Sequence, residues 1–193
     1  RNGIIKVPNP VNETVYDYSL GTSEGDSLKQ TLNELYNQTI EIPLIIGGEE
    51  IRTGNTGTVT CPHEHQHILA TYHKAGPKEI EAAVISARKA WKEWSEWPWV
   101  DRAAVFLKAA ELLVDPYRNL LNAATMLGQS KNTYQAEIDS ACETIDFFRF
   151  NAHFMTEIYR DQPLSSSNIW NSVEYRPLEG FVLAVTPFNF TSI

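Results

Sequence analysis

Glu179-Gly180-Phe181-Val182-Leu183-Ala184-Val185-Thr186-Pro187-Phe188-Asn189-Phe190-Thr191 is the stretch on which the reading of this chain turns. Five apolar residues run from Phe181 to Val185, entered from Gly180 and broken at Thr186-Pro187. A short apolar run between a glycine and a proline predicts a strand buried on both faces. In open α/β sheets, ligand chemistry lies just past the carboxyl end of such a strand. Here that position is occupied by a lone carboxamide, Asn189, between Phe188 and Phe190.

Working back from this stretch, Ile169 to Arg176 alternates like a strand, and Pro177 to Gly180 forms the turn between the two. Asp161 to Asn168 is a Pro/Ser-rich connection. One long helix is predicted before it, from about Thr133 to Tyr159, with Tyr134, Ile138, Ala141, Ile145, Phe148, Ala152 and Met155 as its buried stripe. A second face carries Asp139, Glu143 and Asp146. Like charges so spaced cost roughly 0.2–0.5 kcal/mol per pair on an exposed helix. The face is either solvated and relieved by Arg149, or one carboxylate meets a cationic substrate group; spacing alone favours solvation.

Shorter helices precede it. One opens with Pro77 at its first position, carries Ile80, Val84, Ala87, Trp91 and Trp94, and ends at Pro98. Another is capped by Asp101, with Val100 and Val105 as a staple, and stops at Asp115-Pro116. A third runs from Tyr117 to Leu127 and is closed by Gly128. Upstream, Ile40 to Ile46 and Glu49 to Arg52 read as a hairpin around Gly47-Gly48, followed by a strand over Thr56 to Thr60. Asp26 to Gln38 is an amphipathic helix, and residues 1–22 form a polar, extended arm.

Composition narrows the function classes. The length of 193 residues suffices for a sizeable core, and no run of 18 apolar residues is present. A net charge of −8 argues against a nucleic-acid or anionic-membrane surface. Two cysteines, Cys61 and Cys142, make no disulfide framework. Cys61, His63, His65 and His67 alternate and would share one face of a strand as zinc ligands. Pro62 and Glu64 favour a polar turn instead, so no metal is expected. Asn12-Glu13-Thr14 and Asn37-Gln38-Thr39 match the glycosylation pattern, as chance also allows. No Gly-rich phosphate loop is present.

Taken with Glu137-Ile138-Asp139, Asp101-Arg102-Ala103 and the run Ile145-Asp146-Phe147-Phe148-Arg149-Phe150-Asn151-Ala152, the opening stretch resembles the aldehyde dehydrogenase superfamily. Phe188, where most members carry Trp, points to the branch that oxidises L-glutamate γ-semialdehyde. The resemblance runs from about Ile40 onward and covers only the N-terminal part of a family sequence.

It implies an α/β fold: hairpin, helical bundle, and the start of a Rossmann-type parallel sheet. The expected divisions are 1–39, an arm and short helix; 40–168, the N-terminal part of the NAD-binding domain; 169–180, an oligomerisation strand; and 181–193, the first sheet strand with Asn189. It also implies NAD-dependent oxidation of glutamate semialdehyde to glutamate in proline catabolism, in the mitochondrial matrix, by a homo-oligomer joined through Ile169–Arg176. Asn189 is then the oxyanion donor, and Val185, Thr186, Pro187 and Phe188 border NAD. Phe190 and Glu143 face the substrate. The family's nucleophilic cysteine and general base belong beyond residue 193, so the 193 residues alone are expected to be inactive. Cys142 is not the nucleophile, because Asp139, Glu143 and Asp146 would raise its pKa. Two other readings stay open: a non-catalytic relative serving as a structural subunit, and a dehydrogenase of different aldehyde specificity.

Overall fold

The computed structural model describes residues 6–193, so the first five residues of the arm lie outside the described residues. Helix α1 spans Ser23–Tyr36. It begins before the expected Asp26 because the Thr22 hydroxyl accepts the Gly25 N–H at 3.1 Å, a side-chain cap hidden among polar neighbours. Its buried residue is Leu28, and the helix packs on α4, Arg118–Gln129.

The expected single strand over Ile40 to Ile46 is two strands. Pro43 has no N–H to give a ladder, and the chain changes partners there. Strand β1, Ile40–Ile42, runs parallel to β5, Glu64–His73, whereas β2, Leu44–Ile46, forms the expected hairpin with β3, Glu49–Ile51. Gly47 and Gly48 have φ of 64° and 86°, the double left-handed turn that a two-residue hairpin of this twist requires. Strand β4, Thr56–Cys61, pairs antiparallel with β5, giving the order β1-β5-β4. The polar turn at the histidines is only Pro62-His63, and His65 and His67 belong to β5.

Helices α2, Pro77–Glu96, and α3, Trp99–Val114, follow. Pro77 stands in the first turn of α2 as expected, and the Gly76 N–H donates to the Glu79 carboxylate at 2.9 Å. The α2 stripe is not core: no α2 residue is buried, and Ile80, Trp91 and Trp94 are exposed. Asp101 is not the α3 cap. The helix starts at Trp99, which leaves Asp101 in the first turn, where the dipole favours an anion. Helix α4 ends at Ser130 in the left-handed region (φ 55°), not at Gly128.

The long helix is present but not regular. Helix α5, Thr133–Ala136, passes into a π segment, Glu137–Cys142, and then α6, Glu143–Arg160. The wider turn rotates everything before it. Ala141, Ile145 and Ala152 are buried as expected, Tyr134 is exposed, and Glu137 and Ser140 are fully buried. Val7, Ala103 and Ala152 form a small apolar cluster with Trp99, Leu107 and Met155 packed on it, where α3 meets α6.

Beyond α6 the expectation of two strands fails. Residues 161–193 make one isolated bridge, Ser166 to Ile169, and no ladder. The run Phe181–Val185 is exposed rather than buried on both faces, with Val182 84% and Leu183 77% accessible. A parallel strand acquires its burial from neighbouring strands and crossover helices, and none flanks this segment among the described residues. Among the described residues, 169–176 and 181–185 thus remain extended without a ladder partner.

Candidate active-site segment

The residues around Asn189 are held from one side by the helical layer. The Gln129 carboxamide lies 3.2 Å from both the Asn189 carbonyl oxygen and the Phe190 N–H, oriented so that its NH2 donates to the first and its oxygen accepts from the second. Lys131 Nζ stands 4.6 Å from the centre of the Phe190 ring, a cation–π contact, and also pairs with Asp139 at 2.9 Å. Thr191 Oγ1 meets Thr125 Oγ1 at 2.8 Å, and Ser192 Oγ meets Thr144 Oγ1 at 2.6 Å. The Asn189 side chain is exposed and has no hydrogen-bond partner among the described residues. Its NH2 is thus free to donate outward. Val185, Thr186, Pro187 and Phe188 are exposed too, Phe188 at 96%. They present Val and Phe side chains beside a hydroxyl and a rigid proline.

The acidic face separates into unequal members. Asp146 accepts from Asn12 Nδ2 at 2.8 Å and from the Glu13 N–H at 2.7 Å, so it ties down the arm. Asp139 holds Lys131. Glu143 alone of the three has no ion-pair or hydrogen-bond partner among the described residues. It lines a hollow with Asn12, Asp146, Phe147, Phe150 and Phe154. Arg149 does not relieve Asp146, as the spacing suggested. It donates to Glu13 at 2.6 Å and reaches Glu111 at 3.6 Å, because the arm brings a closer carboxylate. No hydrogen bond joins Glu143 to Asn189 or Phe190. The hollow of Glu143 borders that of Ser192 and Ile193 through shared Phe147 and Asn151.

Sequence reasoning used Glu137 only as part of a motif and missed its place at the centre of a buried network. Its carboxylate accepts from the Arg118 guanidinium, from Tyr18 Oη at 2.8 Å, from Asn122 Nδ2 at 2.7 Å and from the Tyr16 N–H at 2.9 Å. Burial pushes the Glu137 carboxyl upward. Arg118 and these donors outweigh it and hold the group below the usual carboxylate range. Arg118 also donates to Glu13 at 2.9 Å, and its guanidinium stacks 3.8 Å over the Tyr16 ring. The network fastens residues 13–18 of the arm onto α4 and the π segment. A basic residue at the start of one helix and an acid in the next were the only signal in the sequence, because each shares its face with further polar residues, Asn122 and Thr125 or Ser140 and Thr144.

Cys142 lies within this network. Burial and the Glu137 charge push its thiol up to about 12, so it is no thiolate at neutral pH. The direction agrees with expectation, but the causes are burial first and then the Glu137 charge, not the half-buried acidic face of Asp139, Glu143 and Asp146. Cys61 is buried, with its Sγ 3.2 Å from His63 Nε2, and His63 Nδ1 is 2.7 Å from Ser130 Oγ. His67 stacks on Tyr36 with centroids 4.0 Å apart. Among the described residues no group of three His, Cys, Asp or Glu side chains is placed to hold a metal ion.

Residues 51–193 match the model of the aldehyde dehydrogenase family. The chain is 49% identical over 190 residues to a Δ1-pyrroline-5-carboxylate dehydrogenase of Agaricus bisporus, covering 97% of this chain and 35% of that protein. It is 44% identical over 188 residues to a mitochondrial enzyme of that name from Dictyostelium discoideum, covering 97% and 34%. The crystal structure of the Mycobacterium tuberculosis enzyme of that name, bound with NAD, superposes with a TM-score of 0.95 at 46% identity, covering 98% of this chain and 36% of that one. This chain therefore has the mixed helix and strand arrangement of that part of the fold. It spans about a third of the length of the relatives it matches.

Proposed function

The chain belongs to the aldehyde dehydrogenase family, and from that premise we propose that it forms part of an enzyme oxidising L-glutamate γ-semialdehyde to L-glutamate with NAD. The observation that carries the reading is the 43–49% identity, over nearly the whole chain, to relatives from fungi, a slime mould and mammals that bear one enzyme's name. The semialdehyde is the open form of Δ1-pyrroline-5-carboxylate, which places the reaction in proline catabolism. Several eukaryotic relatives are named mitochondrial, which supports the mitochondrial matrix as its location.

Within this chain Asn189 is the oxyanion donor. Aldehyde oxidation passes through a tetrahedral centre whose oxygen carries negative charge, and a preorganised N–H aimed at it is worth about 10²–10³ in rate. The exposed, unpartnered carboxamide is free to make that bond. Residues 185–188 suit one end of NAD: Val185 and Phe188 offer apolar surface to a flat ring, with the Thr186 hydroxyl and rigid Pro187 between them. NAD, when bound, accepts the hydride. No glycine-rich loop for its phosphates occurs in this chain. Phe190, steadied by Lys131, forms a wall for the aliphatic part of the substrate. Glu143, the unpaired carboxylate of its face, meets the substrate's cationic nitrogen. Ile169, Trp170, Val173 and Tyr175 are exposed, Trp170 at 92%, and supply the apolar contact of a homo-oligomer.

The test is NADH formation from pyrroline-5-carboxylate by the full-length protein, with simple aliphatic aldehydes in parallel. Preferred turnover of pyrroline-5-carboxylate is expected. Faster turnover of the aliphatic aldehydes would move the specificity elsewhere, and no turnover of any aldehyde would leave a structural subunit.

A further inference from the structure

Three buried hydroxyls of the helical layer converge on the residues that follow Asn189. Thr125 of α4 and Ser140 of the π segment are fully buried, and Thr144 of α6 is 6% exposed. Thr125 Oγ1 lies 2.8 Å from each of three oxygens: Leu121 O, Ser140 Oγ and Thr191 Oγ1. One hydrogen and two lone pairs are all a hydroxyl has, so Thr125 is fully used. Ser192 Oγ meets Thr144 Oγ1 at 2.6 Å and donates to Ser140 O at 3.1 Å. A helix-packing role alone does not call for this set. Valine fills the place of threonine without a polar atom to satisfy, and buried hydroxyls cost stability unless paired.

The segment they hold has little other support. Residues 181–187 make no ladder and are exposed, so no strand pairing fixes the backbone that leads to Asn189. Its restraints come from Gln129 of α4, from Lys131 in the connection after α4, and from these hydroxyls of α4, the π segment and α6. A donor that stabilises a developing charge has to be held to within about 0.5 Å by its supporting residues. We infer that Thr125, Ser140 and Thr144 are positioning residues for Asn189, acting through Thr191 and Ser192. The π segment has a part in this, because its wide turn brings Ser140 to face Thr125 rather than solvent. The inference rests on the oxyanion role proposed above.

Two measurements on the full-length protein test it. The first is amide hydrogen exchange in peptides covering residues 186–193, which is independent of turnover. Thr125→Val and Ser192→Ala should each speed exchange there by about tenfold, and Thr125→Ser should restore protection. Ser192 is exposed, so its variant reads the contact without threatening the core. Unchanged exchange in both variants would overturn the inference. The second is steady-state kinetics. Thr125→Val should lower kcat by about tenfold, leave KM for NAD and aldehyde within about twofold, and have no further effect in an Asn189→Ala background. A loss of the same size in that background would mean that Thr125 does not act through Asn189. If Asn189→Ala itself is neutral while the exchange result holds, the oxyanion reading fails and the anchoring stands.

Discussion

Two stretches of this chain invert the usual relation between polarity and burial. Residues 137–144 contain Glu137, Ser140, Cys142 and Thr144, all buried. Residues 181–185 are Phe-Val-Leu-Ala-Val, and all five are exposed. The first stretch lies on a helix, whose backbone is satisfied within the segment, and its polar side chains find Arg118, Asn122, Tyr18 and Thr125 across the interface. The second needs other strands for its backbone and other layers for its side chains. Burial follows from available partners; hydrophobicity alone does not supply them.

The comparison can be broken most sharply at Glu137. Glu137→Gln leaves Arg118 buried beside a neutral amide and should cost roughly 3–5 kcal/mol, read from the denaturant midpoint. A loss below about 1 kcal/mol would show that the network is not what holds this stretch inside. Asn189→Ala should lower kcat by about 10²–10³ with the melting temperature unchanged. A change below about threefold removes the oxyanion role. The network also predicts a pH dependence. The Glu137 and Glu13 carboxyls are both held below their usual range, Glu13 because Arg118 and Arg149 outweigh its burial. Their unfolded-state values are about 4.3. Their contribution is therefore complete above about that pH and is lost as pH falls through the lower folded values. Glu137→Gln should flatten the acid limb of a stability–pH curve. The smallest effect belongs to the other stretch. Leu183→Lys in the 193-residue chain should change stability by less than about 0.5 kcal/mol. A larger loss would mean that the exposed run is packed.

The same contrast explains what was legible in the sequence. Helices announce themselves locally, so α1 to α4 and the long helix were found, with errors at ends that turn on one residue, such as the Thr22 side-chain cap and the left-handed backbone of Ser130. The Gly47-Gly48 hairpin was equally local. The partner exchange at Pro43 was not, because it depends on β5, roughly thirty residues downstream. The exposure of Phe181–Val185 was unreadable, since an apolar run states a need for cover and not whether cover is at hand. In the candidate site, Asn189 drew attention through its setting between aromatics. The contacts that Thr125, Ser140 and Thr144 make with Thr191 and Ser192 were not legible, because these look like ordinary helix residues until the π segment turns them together. Likewise Glu143 became distinct from Asp139 and Asp146 only when the structure showed which carboxylates were already engaged.

The attachment of the arm has a consequence for the order of events during synthesis. Glu13 bonds to Asp146, 133 residues later, and Tyr16 and Tyr18 bond to Glu137 across 121 and 119 residues. At about 5–20 residues per second, translation leaves the arm waiting roughly 7–27 s before Asp146 has been made. The arm thus leaves the ribosome well before the helix it binds, and it finds its place only after Glu137 and Asp146 have been made. Docking it closes the chain over the finished helical layer and withdraws Glu137 and Arg118 from water.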